Sequence, residues 1–331
     1  MRSAVTPAIS VIIPTYNRAR LIGDAIASVL SQKFADFELI IVDDCSSDDS
    51  REVVAAWTDP RVRLIALERN GGSNVARNAG IRAARAPLLC FLDSDDLYLP
   101  GKLDYVARAF ADDSGLGVLV DSSLRMNSPR AKARFVENRN PVTRSTDEFA
   151  LALFRKHLFK ATSAISVKRE AAVRAGLFAE DIKQRQDFDF LIRLTETARC
   201  ASTDEILWIK RWTHDRITNR ERFLGATLEL VRRHPQYVSN GQYRAGLSRD
   251  IIRNSYLLWR EGKRMAVGAD LKRATKALGL VMTARLVVSG LGQALFRLAR
   301  RRQRTTTPVS ALSPEVEAAL EAARTRELAR S

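Results

Sequence analysis

The chain has 331 residues, 54 Lys and Arg against 38 Asp and Glu, a formal net charge of +16, and 46% hydrophobic residues. That composition excludes a disordered chain, and the length carries one large domain with an appendage or two domains. The positive balance calls for an anionic partner: a nucleic acid, a phosphate-bearing nucleotide or an acidic membrane surface. Cys45, Cys90 and Cys200 show neither zinc spacing nor a disulfide framework, which predicts a reducing, cytoplasmic setting. Residues 1–8 lack the apolar stretch of a secretory signal.

Ile9-Ser10-Val11-Ile12-Ile13 is a β-branched run stopped by Pro14, the first predicted strand. Leu21, Ile22, Ala25, Ile26, Val29 and Leu30 repeat at helical spacing and predict a helix over 20–32. Residues 37–42 form a second strand ending in Asp43-Asp44, and Ser47 or Asp48 can cap the helix that carries Val53, Val54 and Trp57. A third strand over 61–66, a turn at Asn70-Gly71-Gly72 and a helix over 73–84 follow. Leu88-Leu89-Cys90-Phe91-Leu92 is a strand buried on both faces, and it runs straight into Asp93-Ser94-Asp95-Asp96. Strand and helix alternating in this way predict a parallel sheet with right-handed crossovers.

Three polar clusters therefore lie just past the carboxyl ends of strands: Thr15-Tyr16-Asn17, Asp43-Asp44, and Asp93 to Asp96. Open α/β sheets bind ligands at those ends. Crowded carboxylates stay ionised where a cation is held among them. Asp-x-Asp offers hard oxygens from one side only, which suits Mg²⁺ or Mn²⁺ with positions left for water and phosphate. Tyr16 offers a face for a base, and Asp44 an acceptor for a pyrimidine imide. Arg77 and Asn78 could reach a ribose or diphosphate. Each residue taken alone reads equally well as turn, cap or surface ion pair; the three clusters in register favour one ligand crevice.

Four ordered blocks carry a family resemblance: Ile9 to Asn17, Glu38 to Ser46, Asn70 to Gly80 and Phe91 to Asp96. Together they resemble the successive signatures of glycosyltransferase family 2, over roughly residues 9 to 215. The resemblance implies a GT-A fold, an α/β, Rossmann-like, mixed and mostly parallel sheet flanked by helices. It also implies a nucleotide-diphosphate-sugar donor, a UDP-sugar by preference, a divalent metal (Mn²⁺ or Mg²⁺) and inversion at the anomeric carbon. Donor contacts then fall to Pro14, Thr15, Tyr16, Asn17, Asp44, Arg77, Asn78, Asp93 and Ser94, and metal ligation to Asp95 and Asp93. No G-x-G-x-x-G follows the first strand, which disfavours a dinucleotide enzyme.

Downstream, residues 118–120 read as a short fifth strand, and Arg125 to Arg144 as an exposed insertion or mobile loop. A helix resumes over 146–154 with Ser145 or Thr146 as its cap, and Ser163 to Glu170 is a strand entering a helix that ends at Gly176. Gln186-Asp187 resembles the family's Glu-Asp pair, with Gln in place of Glu, and so marks Asp187 as the general base. A carboxylate suits that role, because a sugar hydroxyl attacks only as its proton leaves. Asp189 is the competing carboxylate, and a plain helix cap is the alternative reading of Asp187. In the family a His often follows a strand near the diphosphate or metal; His214 holds that place, beside Trp212.

The expected organisation is a catalytic domain over 1–218, a basic helical region over 219–304, and a linker and tail over 305–331. Leu280, Ala284, Val287, Val288, Leu291, Leu295 and Leu298 form one apolar stripe, followed by Arg297, Arg300, Arg301, Arg302 and Arg304. Arg285 in mid-segment costs about 2.5–3.5 kcal/mol at a bilayer centre and argues against a spanning helix. The stripe either docks on an anionic membrane surface or packs on the catalytic domain.

The function expected is an inverting transfer to a hydroxyl of a saccharide or lipid-linked acceptor in cell-surface polysaccharide synthesis, at the inner face of the plasma membrane. No nucleic-acid partner is expected, because the basic cluster lacks interleaved aromatics. The alternatives are a non-enzymatic basic nucleic-acid- or membrane-binding protein, which leaves the carboxylates without a role, and a sugar nucleotidyltransferase, which wants glycines that Pro14-Thr15-Tyr16-Asn17 lacks.

Overall fold

The computed structural model describes residues 6–126, 135–211 and 220–301. Its first half alternates as the apolar runs require: β1 (Ile9–Thr15), α1 (Ile22–Leu30), β2 (Phe37–Asp43), α2 (Ser50–Ala55), β3 (Val62–Ala66), α3 (Ser73–Ala83) and β4 (Leu88–Phe91). Every residue of β1, β2 and β4 is buried, as continuous β-branched runs demand of strands covered on both faces. Then come β5 (Leu97–Tyr98), α4 (Lys102–Asp112), β6 (Leu116–Met126), β7 (Phe135–Asn138), α5 (Thr146–Phe154), a 3₁₀ turn (Thr162–Ala164), β8 (Ile165–Lys168), α6 (Arg169–Arg174), α7 (Gln186–Thr197) and β9 (Arg199–Lys210). The helices α8 (Arg220–Arg233), α9 (Gln236–Ser239), α10 (Arg244–Arg260), α11 (Arg264–Leu278) and α12 (Leu280–Arg301) follow.

The strands make one sheet in the order β3-β2-β1-β4-β8-β6-β9-β5, with β7 beside β6. Pairing is parallel across β3, β2, β1 and β4, then antiparallel through β8, and parallel again between β6 and β9. The chain reverses its winding between β1 and β4. There β1 stays paired with β2 as far as Thr15 opposite Asp43, but its register with β4 ends at Ile12 opposite Phe91. Pro14, which has no N–H to give, sits where that ladder has stopped. The two strands part at their carboxyl ends and open a crevice at the switch point.

Several local expectations need correction. The fifth strand of the sequence reading, residues 118–120, is the middle of an eleven-residue strand, β6. Its polar Asp121, Ser122 and Ser123 hid the length, yet all three are buried: Asp121 pairs with Lys102, and Ser122 Oγ donates to Thr203 O at 2.9 Å. The stretch 125–144 is not all loop, because β7 pairs with β6; residues 127–134 lie outside the described residues. Ser145 caps α5 by accepting from Glu148 N at 3.2 Å, and Asp48 accepts from Ser50 N at 3.0 Å at the start of α2.

Among the described residues of the apolar stripe, Leu280, Ala284, Val288 and Leu291 are exposed, Leu280 and Val288 at 71% and 70%, while Val287 packs against the core. Thr283 and Leu286 are buried, and α12 packs on α10. Leu247, Ile251 and Leu258 of α10 are buried as their spacing predicts. No described helix is long and apolar enough to cross a membrane.

α10 meets α5 at very close range. Tyr243 stacks on Phe154 with centroids 4.1 Å apart, and a Cβ on Gly246 would lie 1.7 Å from the Phe154 carbonyl oxygen. Backbone cannot yield as a flexible side chain does, so Gly246→Ala should destabilise the chain by about 1–3 kcal/mol. The measure is the urea midpoint; an unchanged midpoint would contradict this packing.

Candidate active site

The loops after β1 and β2 are stapled to each other. Asn17, at φ 50°, directs its Oδ1 to Ser47 N at 2.8 Å and gives its own N–H to Ser46 Oγ at 2.9 Å. Pro14 and Thr15 are buried in the sheet, whereas Tyr16 is 45% exposed and presents its ring to solvent. Asp44 accepts from Gly71 N at 2.8 Å and Gly72 N at 2.7 Å, which fixes the entry to α3. Gly72 has φ +92°, a conformation that favours glycine. A carboxylate has about four acceptor positions, so Asp44 keeps capacity for a further donor.

α3 then reaches in two directions. The buried Arg77 contacts Asp93 Oδ1 at 2.7 Å through Nη2, and Ser73 Oγ and Asn74 Oδ1 at 3.1 and 3.2 Å through Nη1. It braces the acid loop from beneath. Asn78, expected to contact a ribose or diphosphate, is used elsewhere: its amide donates to Phe178 O and Glu180 Oε1, both at 2.9 Å, and accepts from Phe178 N at 2.9 Å. Asn74 likewise donates to Ala179 O and Ile182 O. Both asparagines clamp the segment that leads into α7.

The acid loop holds Asp93, Asp95 and Asp96 with carboxylate oxygens all within 4.8 Å of one another, and Ser94 is buried between them. Asp96 is the buried member. Burial pushes its carboxyl up to about 7, with Lys210 opposing and Asp95 and Asp93 reinforcing. Its Oδ2 accepts the Ser163 hydroxyl at 2.7 Å, and Ser163 Oγ accepts Asp93 N at 3.1 Å. Arg211, just past β9, donates Nε to Asp95 O at 2.7 Å, pairs with the buried Asp24 of α1 at 2.9 Å and reaches Leu21 O at 3.1 Å. Asp93 and Asp95 are half-buried, and their carboxylates are hard oxygen donors of the kind a divalent cation takes.

Asp187 is half-buried in the first turn of α7, directly before the buried Phe188. It is not the cap, a position taken by Arg185 at φ 65°. Asp189 is buried and bonded to Arg193 at 2.7 Å and to His234 Nε2 at 2.9 Å, so it has no role as a free base. One cation relates Asp187 to the acid loop. Lys210 is raised above its usual range by Asp96 first and, against burial, by Asp93, Asp95 and Asp187 as well. All four carboxylates favour the charged form of Lys210. Sequence reading missed Lys210, Arg211 and Ser163; a Lys-Arg pair ending an apolar strand is the only local signal, since their partners are distant in the chain. His214 and Trp212 lie outside the described residues.

Residues 10–172 match the family described as Glycosyl transferase family 2. The chain belongs to glycosyltransferase family 2 through this segment. Succinoglycan biosynthesis protein ExoO of Rhizobium meliloti is 37% identical over 206 residues, covering 59% of this chain and 58% of ExoO. The Escherichia coli UDP-Glc:alpha-D-GlcNAc-diphosphoundecaprenol beta-1,3-glucosyltransferase WfgD is 40% identical over 96 residues, 29% of this chain and 38% of WfgD. The chain thus spans less than two thirds of either relative. In fold it resembles S. aureus TarS in complex with UDP-GlcNAc, at TM-score 0.57 and 17% identity over 82% of this chain and 92% of TarS 1-349. It also resembles the mannosyltransferase PcManGT from Pyrobaculum calidifontis in complex with GDP-Man and Mn²⁺, at TM-score 0.56 and 19% identity over 98% of this chain and 88% of that one. These likenesses carry the GT-A architecture of the family 2 chain.

If Asp95 ligates a cation that holds a nucleoside diphosphate, Asp95→Ala should weaken UDP binding in Mn²⁺ by at least about tenfold, since even outer-shell partners of a metal are worth roughly 10–100-fold. Binding without metal should stay unchanged. Calorimetry with UDP reads both, and undiminished Mn²⁺-dependent affinity would contradict the assignment.

Proposed function

We propose that the chain is a metal-dependent, inverting glycosyltransferase. It moves a sugar from a nucleotide-diphosphate donor, preferably a UDP-sugar, to a hydroxyl of a saccharide or lipid-linked acceptor in cell-surface polysaccharide synthesis. The observation that carries this is the cluster of Asp93, Asp95 and Asp96 just past β4, whose carboxylate oxygens lie within 4.8 Å of one another. It supports a site for a cation and the donor's diphosphate.

Tyr16 offers the nucleotide base a flat face, and Asp44 an acceptor at the entry to α3. Asp95 and Asp93 would hold the cation, which when bound supplies charge neutralisation for the diphosphate. Asp187 takes the proton of the acceptor hydroxyl while the new bond to the anomeric carbon forms. The old carbon–oxygen bond breaks on the opposite face, and its electron pair leaves with the nucleoside diphosphate. Lys210 lies beside the carboxylates to offset part of that departing charge. A single displacement with no covalent intermediate inverts the centre. Asp187→Asn should leave donor affinity unchanged and reduce transfer by about 10²–10⁴-fold. Transfer within a few-fold of the parent would place the base elsewhere.

The outward face of α12 supports a peripheral place on an anionic membrane. Leu280, Val281, Ala284, Val288 and Leu291 are exposed together, Arg285 is exposed beside them, and the sequence continues into five arginines by residue 304. Each basic residue near an anionic surface contributes about 1 kcal/mol. The acceptor named for WfgD is itself linked to a lipid. The full chain should sediment with phosphatidylserine-containing vesicles, while a Val281→Glu/Val288→Glu variant should stay in the supernatant. Equal partition of the two chains would disprove membrane docking.

A further inference from the structure

Away from the acid loop, positive charge is concentrated at one place. Phe188, fully buried in the first turn of α7, has three cations over its ring. Lys156 Nζ lies 3.2 Å, Lys160 Nζ 4.7 Å and the Arg185 guanidinium carbon 5.1 Å from the ring centroid. One carboxylate serves two of them: Asp250 Oδ2 of α10 is 2.7 Å from Arg185 Nη2 and 3.4 Å from Lys156 Nζ. The Lys156 side chain is 9% exposed, and its Nζ makes no hydrogen bond.

Packing accounts for two of the three cations. Lys156 and Arg185 fasten the end of α5 and the start of α7 to α10. Lys160 differs: its ammonium lies over the Phe188 ring, among the described residues it has no ion pair, and the carboxylate that most favours its charge is Asp187. Burial first, and then Arg185, push the Lys156 ammonium well below its usual range, and burial lowers Lys160 as well. Among the described residues Asp250 is the one carboxylate paired with the cluster, and it is shared by Arg185 and Lys156. Asp187 lies in the chain between Arg185 and Phe188, in the first turn of α7, and its carboxylate favours the Lys160 charge.

We propose that Lys160, backed by Lys156 and Arg185, binds a phosphate group carried by the acceptor, next to the hydroxyl that Asp187 deprotonates. The inference rests on the glycosyl-transfer reading above, because Asp187 is what places the acceptor here. A phosphate fits better than a carboxylate. Its several oxygens and higher charge match donors that arrive from separate chain segments, and an ammonium is a suitable point charge for it. The donor's own diphosphate belongs to the acid loop, so this is a second phosphate site.

The test is calorimetry on the full chain saturated with UDP and Mg²⁺, so that the donor diphosphate site is filled. Phenyl phosphate, benzoate and phenyl β-glucoside are titrated separately. Phenyl phosphate should bind about tenfold or more tightly than either of the others, the size expected of one charge-assisted contact. Lys160→Gln should lose that difference and Lys160→Arg should keep most of it, with UDP affinity unchanged in both. Equal phenyl phosphate affinity in Lys160→Gln, equal affinity for benzoate, or no binding to the UDP-loaded parent would overturn the proposal. A chain that binds UDP but not phenyl phosphate sinks this inference alone. A chain that binds no UDP sinks the donor reading and this one together.

Discussion

Three carboxylates with oxygens inside 4.8 Å repel one another, and much of the fold is arranged to hold them there. The restraint comes from every side. Arg77 braces Asp93 from α3, Ser163 links Asp93 to Asp96, and Arg211 ties the backbone of Asp95 to Asp24 of α1. The acids in turn hold the Lys210 ammonium above its usual range. The strand switch between β1 and β4 supplies the space, because β4 stops pairing at Phe91 just where the acids begin.

The same restraint couples the two halves of the crevice. α3 carries Arg77 toward the acid loop and Asn74 and Asn78 toward the 178–182 segment, three and four residues apart on one helix. A glycine pair opens that helix against Asp44, and the clamped segment continues into α7 and Asp187. One helix thus has contacts both with the acid loop and with the segment that leads to Asp187. α10 holds the far side through Asp250 and through the close seat of Gly246 on α5.

The parallel half of the sheet was legible because buried parallel strands read as plain apolar runs, and the acids at their tips could be placed from topology alone. Other features were hidden by long-range pairing. β6 carries buried Asp121, Ser122 and Ser123, which look like loop until Lys102 and Thr203 are brought to them. Arg211 meets Asp24 across 187 residues, beyond any local pattern. Asn78 has the right chemistry for a ligand, but its amide satisfies the Phe178 backbone instead. In α12 the period was readable but not the side that packs, since Met282, Leu286 and Val287 are as apolar as the outward residues Val281 and Val288.

The whole account depends on a cation gripped by the acids past β4 and gripping the donor in turn. Anomalous scattering from a crystal of the chain with UDP and Mn²⁺ tests this directly. The account predicts one manganese peak between the Asp93 and Asp95 carboxylates and the diphosphate, with Asp187 across the crevice from it. A peak elsewhere on the molecule, or a diphosphate bound away from the acid loop, would contradict it.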